Sequence, residues 1–207
     1  YVLYTLNQEQ LKYSLLPIGN FTKERVREIA RELGLPVAAK PESQEICFIP
    51  DNDYPKFLKE WVPQAVEPGP ILDSQGGALG EHRGIPFYTI GQRKGLGISA
   101  EGPLYVTAIV RQKNAIVVGS KEEVYGTELM ASGLNWINLT KLEQPIIARA
   151  KIRYLHNETE AEITPIAEDK VRVRFKEAQM AITPGQAIVF YDGDTVIGGG
   201  TIEPKRA

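Results

Sequence analysis

The 207-residue chain carries 24 basic and 26 acidic side chains, is 43% hydrophobic and 24% charged, and has one cysteine and two histidines. That charge balance excludes a protein that coats nucleic acid by bulk electrostatics, and the lone cysteine excludes an internal disulfide or a cysteine-rich zinc site. With no apolar run near the ~20 residues of a membrane span and no visible signal peptide, a cytoplasmic globular protein is expected.

The chain opens at Tyr1, mid-pattern, and reads as part of something longer. Asn7 to Leu16 starts with a capping-box pattern, Asn7 with Gln10 three positions later, and Pro17 and Gly19 end it. A second helix follows Thr22 and stops before Gly34, with Val26, Ile29, Ala30 and Leu33 on one apolar stripe. Its other face carries Lys23, Arg25, Arg27, Glu28, Arg31 and Glu32, a solvated face. A third helix begins near Asp53 with Pro55 in its first turn, and is expected to bury Phe57, Leu58 and Trp61.

After about residue 68 the apolar period changes from 3.6 to 2. Asp73 to Gly77, Arg111 to Asn114 and Asp192 to Asp194 each separate two short apolar runs, which is a hairpin signal. Val171, Val173 and Phe175 alternate with Arg172, Arg174 and Lys176, giving a strand with one buried and one wet face. The class is therefore α+β: an N-terminal helical segment followed by two small, mainly β units. Strands at this spacing favour small barrels or sandwiches over βαβ repeats.

Three constellations could carry chemistry. Cys47, in Pro41 to Pro50, is either a small buried hydrophobe or a thiolate nucleophile and sulfur carrier. Tyr88 to Gly97 interleaves Gly91, Gly95 and Gly97 with Arg93 and Lys94, a flexible loop suited to phosphate or RNA backbone, although its spacing fits neither a P-loop nor a dinucleotide fingerprint. Lys151-Ile152-Arg153-Tyr154 offers a cation for phosphate and a ring for an unpaired base. Adjacent residues on a strand face opposite ways, so Arg153 and Tyr154 reach one ligand only at a strand end or bulge. Thr183-Pro184-Gly185-Gln186 reads as a type II turn, and Gly198 to Gly200 as a bulge or a close backbone approach. His82 and His156 are too isolated to suggest a metal site or a general base.

Leu3 to Leu11, Ser43 to Ile49, Tyr88 to Leu96, Arg153-Tyr154 and Thr183 to Gln186 occur together and in order. This combination resembles the tRNA-specific 2-thiouridylases, the MnmA family, over essentially the whole chain and over the C-terminal part of the family only. The resemblance implies three parts: 1–67, the helical end of a catalytic domain with the cysteine loop; 68–130, a central β domain; and 131–207, a C-terminal β-barrel that binds tRNA.

The implied activity is ATP-dependent transfer of sulfur to C2 of the wobble uridine of tRNAs for Lys, Glu and Gln. Cys47 aligns with the residue that bears a persulfide, loaded by a cysteine desulfurase or a sulfur-relay protein. Arg153, Tyr154 and Gln186 align with tRNA contacts, and Arg93 and Lys94 are further candidates. Family members release the sulfur with a second cysteine, through a disulfide or hydrosulfide, and bind ATP on a Ser-Gly-Gly-x-Asp-Ser loop. Neither the loop nor a second cysteine occurs here, so the chain alone is expected to be inactive. Glu42 keeps an acidic residue near Cys47. The alternative is a non-catalytic tRNA-binding module with a structural cysteine; an RNA methyltransferase would need a glycine-rich nucleoside turn that the sequence lacks.

Overall fold

The computed structural model describes residues 1–40, 49 and 53–204. Among the described residues three α-helices precede the strands: α1 (Gln8–Lys12), α2 (Lys23–Glu32) and α3 (Tyr54–Trp61). The expected caps form. Asn7 Oδ1 accepts the Gln10 N–H at 2.8 Å while Gln10 Oε1 accepts the Asn7 N–H at 2.9 Å, completing the capping box. Thr22 caps α2, and Gly34 at φ +65° ends it, with Leu35 N–H reaching Ala30 C=O at 2.9 Å in a Schellman arrangement.

Two helical expectations change. The first helix stops at Lys12, short of Leu16. Ser14 Oγ donates to the Gln10 carbonyl at 2.7 Å, a local side-chain bond of the kind that competes with the helical ladder. Trp61 is 72% exposed, stacked on Phe57 with ring centroids 5.7 Å apart, and α3 has no fully buried residue. Periodicity identifies an apolar face but does not supply a surface to cover it.

The central sheet has the order β2-β1-β4-β3, formed by β1 (Gly69–Leu72), β2 (Ala78–His82), β3 (Tyr105–Val110) and β4 (Ala115–Gly119). The hairpins at 73–77 and 111–114 are present, and β1 also runs parallel to β4 with Ile71 opposite Ile116. Ile71, Tyr88, Leu96, Val106, Ile116 and Val118 make its core.

Six further strands close into a barrel in the order β10-β5-β8-β7-β6-β9. They are β5 (Tyr125–Trp136), β6 (Ile146–Lys151), β7 (Thr159–Ala167), β8 (Lys170–Met180), β9 (Ala187–Asp192) and β10 (Thr195–Ile202). In β8, Val171, Val173 and Phe175 point into the core as their alternation requires, joined by Ile163, Ile188 and Phe190. Mixed α+β architecture with a terminal closed barrel is thus the fold.

The N-terminal strip lies on this barrel. Asn135 Nδ2 donates to the Leu6 carbonyl at 3.0 Å, and Gln8 Nε2 donates to that of Ile137. The triple glycine explains the docking: a Cβ on Gly199 would stand 2.5 Å from the Tyr4 ring, and the register shifts on either side of Gly198 and Gly199 confirm bulges.

Candidate nucleic-acid interface

Strand β6 ends at Lys151, and Ile152, 1% exposed, anchors the chain as it leaves the sheet. Residues 153–156 then turn, with the His156 N–H donating to the Arg153 carbonyl at 3.2 Å. Arg153 and Tyr154 therefore sit at a strand end, where strict alternation no longer sends neighbours to opposite faces.

Arg153 Nη2 donates to the Ala181 carbonyl and, at 2.9 Å, to Thr183 Oγ1. Thr183 to Gln186 is the expected type II turn, with Gly185 at φ +83° and the Gln186 N–H on the Thr183 carbonyl at 3.3 Å. Two 2.8 Å backbone bonds to Ile202 clamp it to β10. Arg153 thus joins the two segments that carry the barrel's candidate residues. Among the described residues its hydrogen bonds use Nη2, and the Nε and Nη1 donors of the fork suit an external acceptor. Gln186 and Tyr154 are exposed.

Tyr1 backs Tyr154 from the N-terminal strip. The rings meet edge-on at 6.2 Å, and the Tyr1 O–H donates to the Ala187 carbonyl at 2.7 Å. Burial, helped by the nearby Tyr4 and Tyr191 phenols and opposed by Arg153, pushes the Tyr1 hydroxyl up to about 12. Burial, then the Arg153 and Lys151 cations, hold His156 below its ordinary value.

The glycine-rich loop reaches the same region at one end. A Cβ on Gly91 would lie 2.8 Å from the Ala181 Cβ, the residue whose carbonyl receives Arg153. The loop is braced rather than loose: Gln92 Oε1 accepts the Thr89 N–H at 3.0 Å, Gln92 Nε2 donates to the Lys94 carbonyl at 2.9 Å, and Leu96 is buried. Arg93 and Lys94 are exposed, and among the described residues neither bonds to the barrel. The structure therefore brings Arg153, Tyr154 and the Gln186 turn together, with Gly91 adjoining, and leaves the two loop cations farther along.

Cys47 and Glu42 lie outside the described residues. Among the described residues no group of His, Cys, Asp or Glu could hold a metal ion. Tyr1 and Ala181 carry no motif; their positions follow from contacts between distant segments. His82 proves a structural pin, 1% exposed, with Nδ1 accepting the Gly84 N–H at 3.0 Å and Nε2 at 2.8 Å from the Asn114 carbonyl.

Three domain families match along the chain: "tRNA methyl transferase HUP domain" over residues 1–51, "tRNA methyl transferase PRC-barrel domain" over 55–120, and "Aminomethyltransferase beta-barrel domain" over 126–202. The tRNA-specific 2-thiouridylase MnmA 1 of Caldanaerobacter subterraneus subsp. tengcongensis is 57% identical over 205 residues, 99% of this chain. The chain belongs to the MnmA family. The tRNA-specific 2-thiouridylases MnmA of Acetivibrio thermocellus and Halothermothrix orenii are 55% and 50% identical, each over 98% of the chain. This MnmA-family chain spans 56%, 56% and 57% of the lengths of these three relatives. The described residues contain no helix long and apolar enough to cross a membrane.

Proposed function

We propose that this chain is the tRNA-holding and sulfur-carrying part of a cytoplasmic tRNA-uridine 2-sulfurtransferase. The observation that carries the reading is the bond of Arg153 to Thr183, which unites the Arg153–Tyr154 turn with the Gln186 turn on one rim of the barrel. A half-buried guanidinium with free donors suits a phosphate, and an exposed tyrosine beside it suits a splayed base. Gln186 adds a polar contact, and Arg93 and Lys94 extend the cationic surface along the glycine-rich loop. The tRNAs are those for Lys, Glu and Gln.

Cys47 carries the sulfur as a persulfide, received from a cysteine desulfurase or relay protein. A persulfide ionises more readily than a thiol and is the better nucleophile near neutral pH. ATP does not fit the residues present: no Ser-Gly-Gly-x-Asp-Ser loop occurs, and the spacing of Gly91, Gly95 and Gly97 is that of neither a P-loop nor a dinucleotide fingerprint. No step through ATP is assigned to this chain, and with a single cysteine it is expected to be inactive alone.

Two measurements test the reading. Arg153→Ala should weaken binding of a tRNA transcript by ~1–3 kcal/mol at fixed salt; an unchanged dissociation constant removes Arg153 from the interface. In an intact 2-thiouridylase that includes this chain, Cys47→Ser should abolish thiolation in the presence of desulfurase, ATP and tRNA. Normal thiolation by that variant would make the cysteine structural and leave a tRNA-binding module.

A further inference from the structure

Lys151 and His156 bracket the Arg153–Tyr154 turn, Lys151 as the last residue of β6 and His156 at the turn's far end. Both are half-buried, and both line a cleft of about 610 Å³ with Arg149, Glu158, Thr159 and Glu177. The charges facing it are unevenly committed. Arg149 is tied to Glu158, with Nε 3.6 Å from its carboxylate and Nη2 donating to its carbonyl at 3.1 Å. Lys151 has no carboxylate partner among the described residues. The imidazole shares the cleft with Lys151, feels the charge of the nearby Arg153, and has no ion pair among the described residues, while Glu158 and Glu177 are the acids on the cleft wall.

A half-buried cation with no carboxylate partner among the described residues, lining one cleft with an imidazole whose hold on a proton burial and neighbouring cations weaken, is an arrangement that an anion would complete. We propose that Lys151 and His156 form a second anion subsite, beside Arg153, which takes one backbone phosphate of the RNA while His156 takes up a proton. The inference rests on the reading of Arg153 and Tyr154 as RNA contacts and adds to it a neighbouring site and a pH dependence. The sign follows from linkage. Burial and the two cations lower the histidine's affinity for a proton in the free protein, and a bound phosphate raises it. Between the free and bound values, binding absorbs a proton, so affinity rises as pH falls through that window.

Binding of a tRNA transcript to the chain, measured by anisotropy at constant ionic strength, should tighten several-fold from about pH 8 to about pH 6. In His156→Gln this acid-side gain should disappear. Lys151→Gln should weaken binding at both pH values and reduce the slope of log K against log salt by about 0.7–0.9, one phosphate's worth. A His156→Gln variant that keeps the wild-type pH dependence, or a Lys151→Gln variant with an unchanged slope, overturns the subsite. Arg153→Ala in the same assay isolates the parent reading: normal binding there defeats the Arg153 contact whatever the subsite does. A second arm needs no RNA. Imidazole proton resonances are followed against pH in sulfate and in chloride at equal ionic strength, with His156→Gln used to assign the His156 resonance. Sulfate should raise the pH at which His156 titrates, and should not do so in Lys151→Gln; a midpoint indifferent to sulfate overturns the subsite.

Discussion

Arg153 Nη2 lies 2.9 Å from Thr183 Oγ1, and the same hydroxyl donates to the Ala181 carbonyl at 2.8 Å. The threonine therefore fixes the guanidinium from one side while the Ala181 carbonyl fixes it from another. Thr183→Val keeps the shape and removes the hydroxyl. It should weaken tRNA binding by less than Arg153→Ala does. In a double-mutant cycle the two should couple by about 0.5–1.5 kcal/mol. Additive losses would show that Thr183 does not orient the arginine.

The contrast between Thr183 and Ala181 also shows what the sequence could convey. Thr183 to Gln186, Asp73 to Gly77 and Gly34 are readable because their conformations are set locally, by a proline, by an aspartate whose Oδ1 accepts the Gln75 and Gly77 N–H groups, and by a glycine at φ +65°. The barrel alternation in β8 is readable for the same reason. Ala181 is not: a non-glycine at φ +56°, it is held there by its N–H bond to the Val124 carbonyl and by the bonds its own carbonyl accepts from Arg153 and Thr183, which no local pattern announces. Tyr1 is equally silent, since its partner Ala187 is 186 positions away. The pair Arg153–Tyr154 is visible as residue types, whereas its place in a turn and not on alternating strand positions depends on where β6 stops.

Gly91 and Ala181 set how closely the glycine-rich loop approaches the barrel. Gly91 has φ +87°, and an added Cβ would meet the Ala181 methyl at 2.8 Å. Gly91→Ala should cost about 1–3 kcal/mol by chemical denaturation, from backbone strain and overpacking together. Ala181→Gly removes the opposing methyl, so the double variant should be less destabilised than the sum of the singles by about 1 kcal/mol. A strictly additive pair would mean that strain at Gly91, and not this contact, carries the whole cost.

His82 ties the end of β2 to the β3–β4 turn. Nδ1 accepts the Gly84 N–H, so Nε2 carries the proton and donates to the Asn114 carbonyl at 2.8 Å. Asn114, left-handed at φ +44°, returns a 2.8 Å bond to the Pro68 carbonyl. His82→Leu leaves a buried donor and acceptor unpaired and should cost about 2–4 kcal/mol. Gly69→Ala should be at least as severe, because its Cβ would fall 2.1 Å from the same Asn114 oxygen. Thermal unfolding of both variants checks the ranking; a His82→Leu protein as stable as wild type would deny the pin.

Tyr1 makes the strip's attachment to the barrel sensitive to alkali. Its hydroxyl donates to the Ala187 carbonyl, and burial raises its ionisation to about 12 from an ordinary value of about 10. A group whose folded value is raised binds its proton more tightly when folded. Its contribution is complete below the ordinary value and is lost as pH climbs through about 12. Phenolate absorbance should therefore show a late-ionising component to which Tyr1 contributes alongside Tyr191, whose hydroxyl burial also raises, and Tyr1→Phe should remove the Tyr1 share of it. Since the Tyr1 ring also backs Tyr154 at 6.2 Å, Tyr1→Ala should weaken tRNA binding more than Tyr1→Phe, which keeps the ring. Equal losses in the two variants would place the effect on the hydroxyl and its bond to Ala187, and would remove the ring contact as a support for Tyr154.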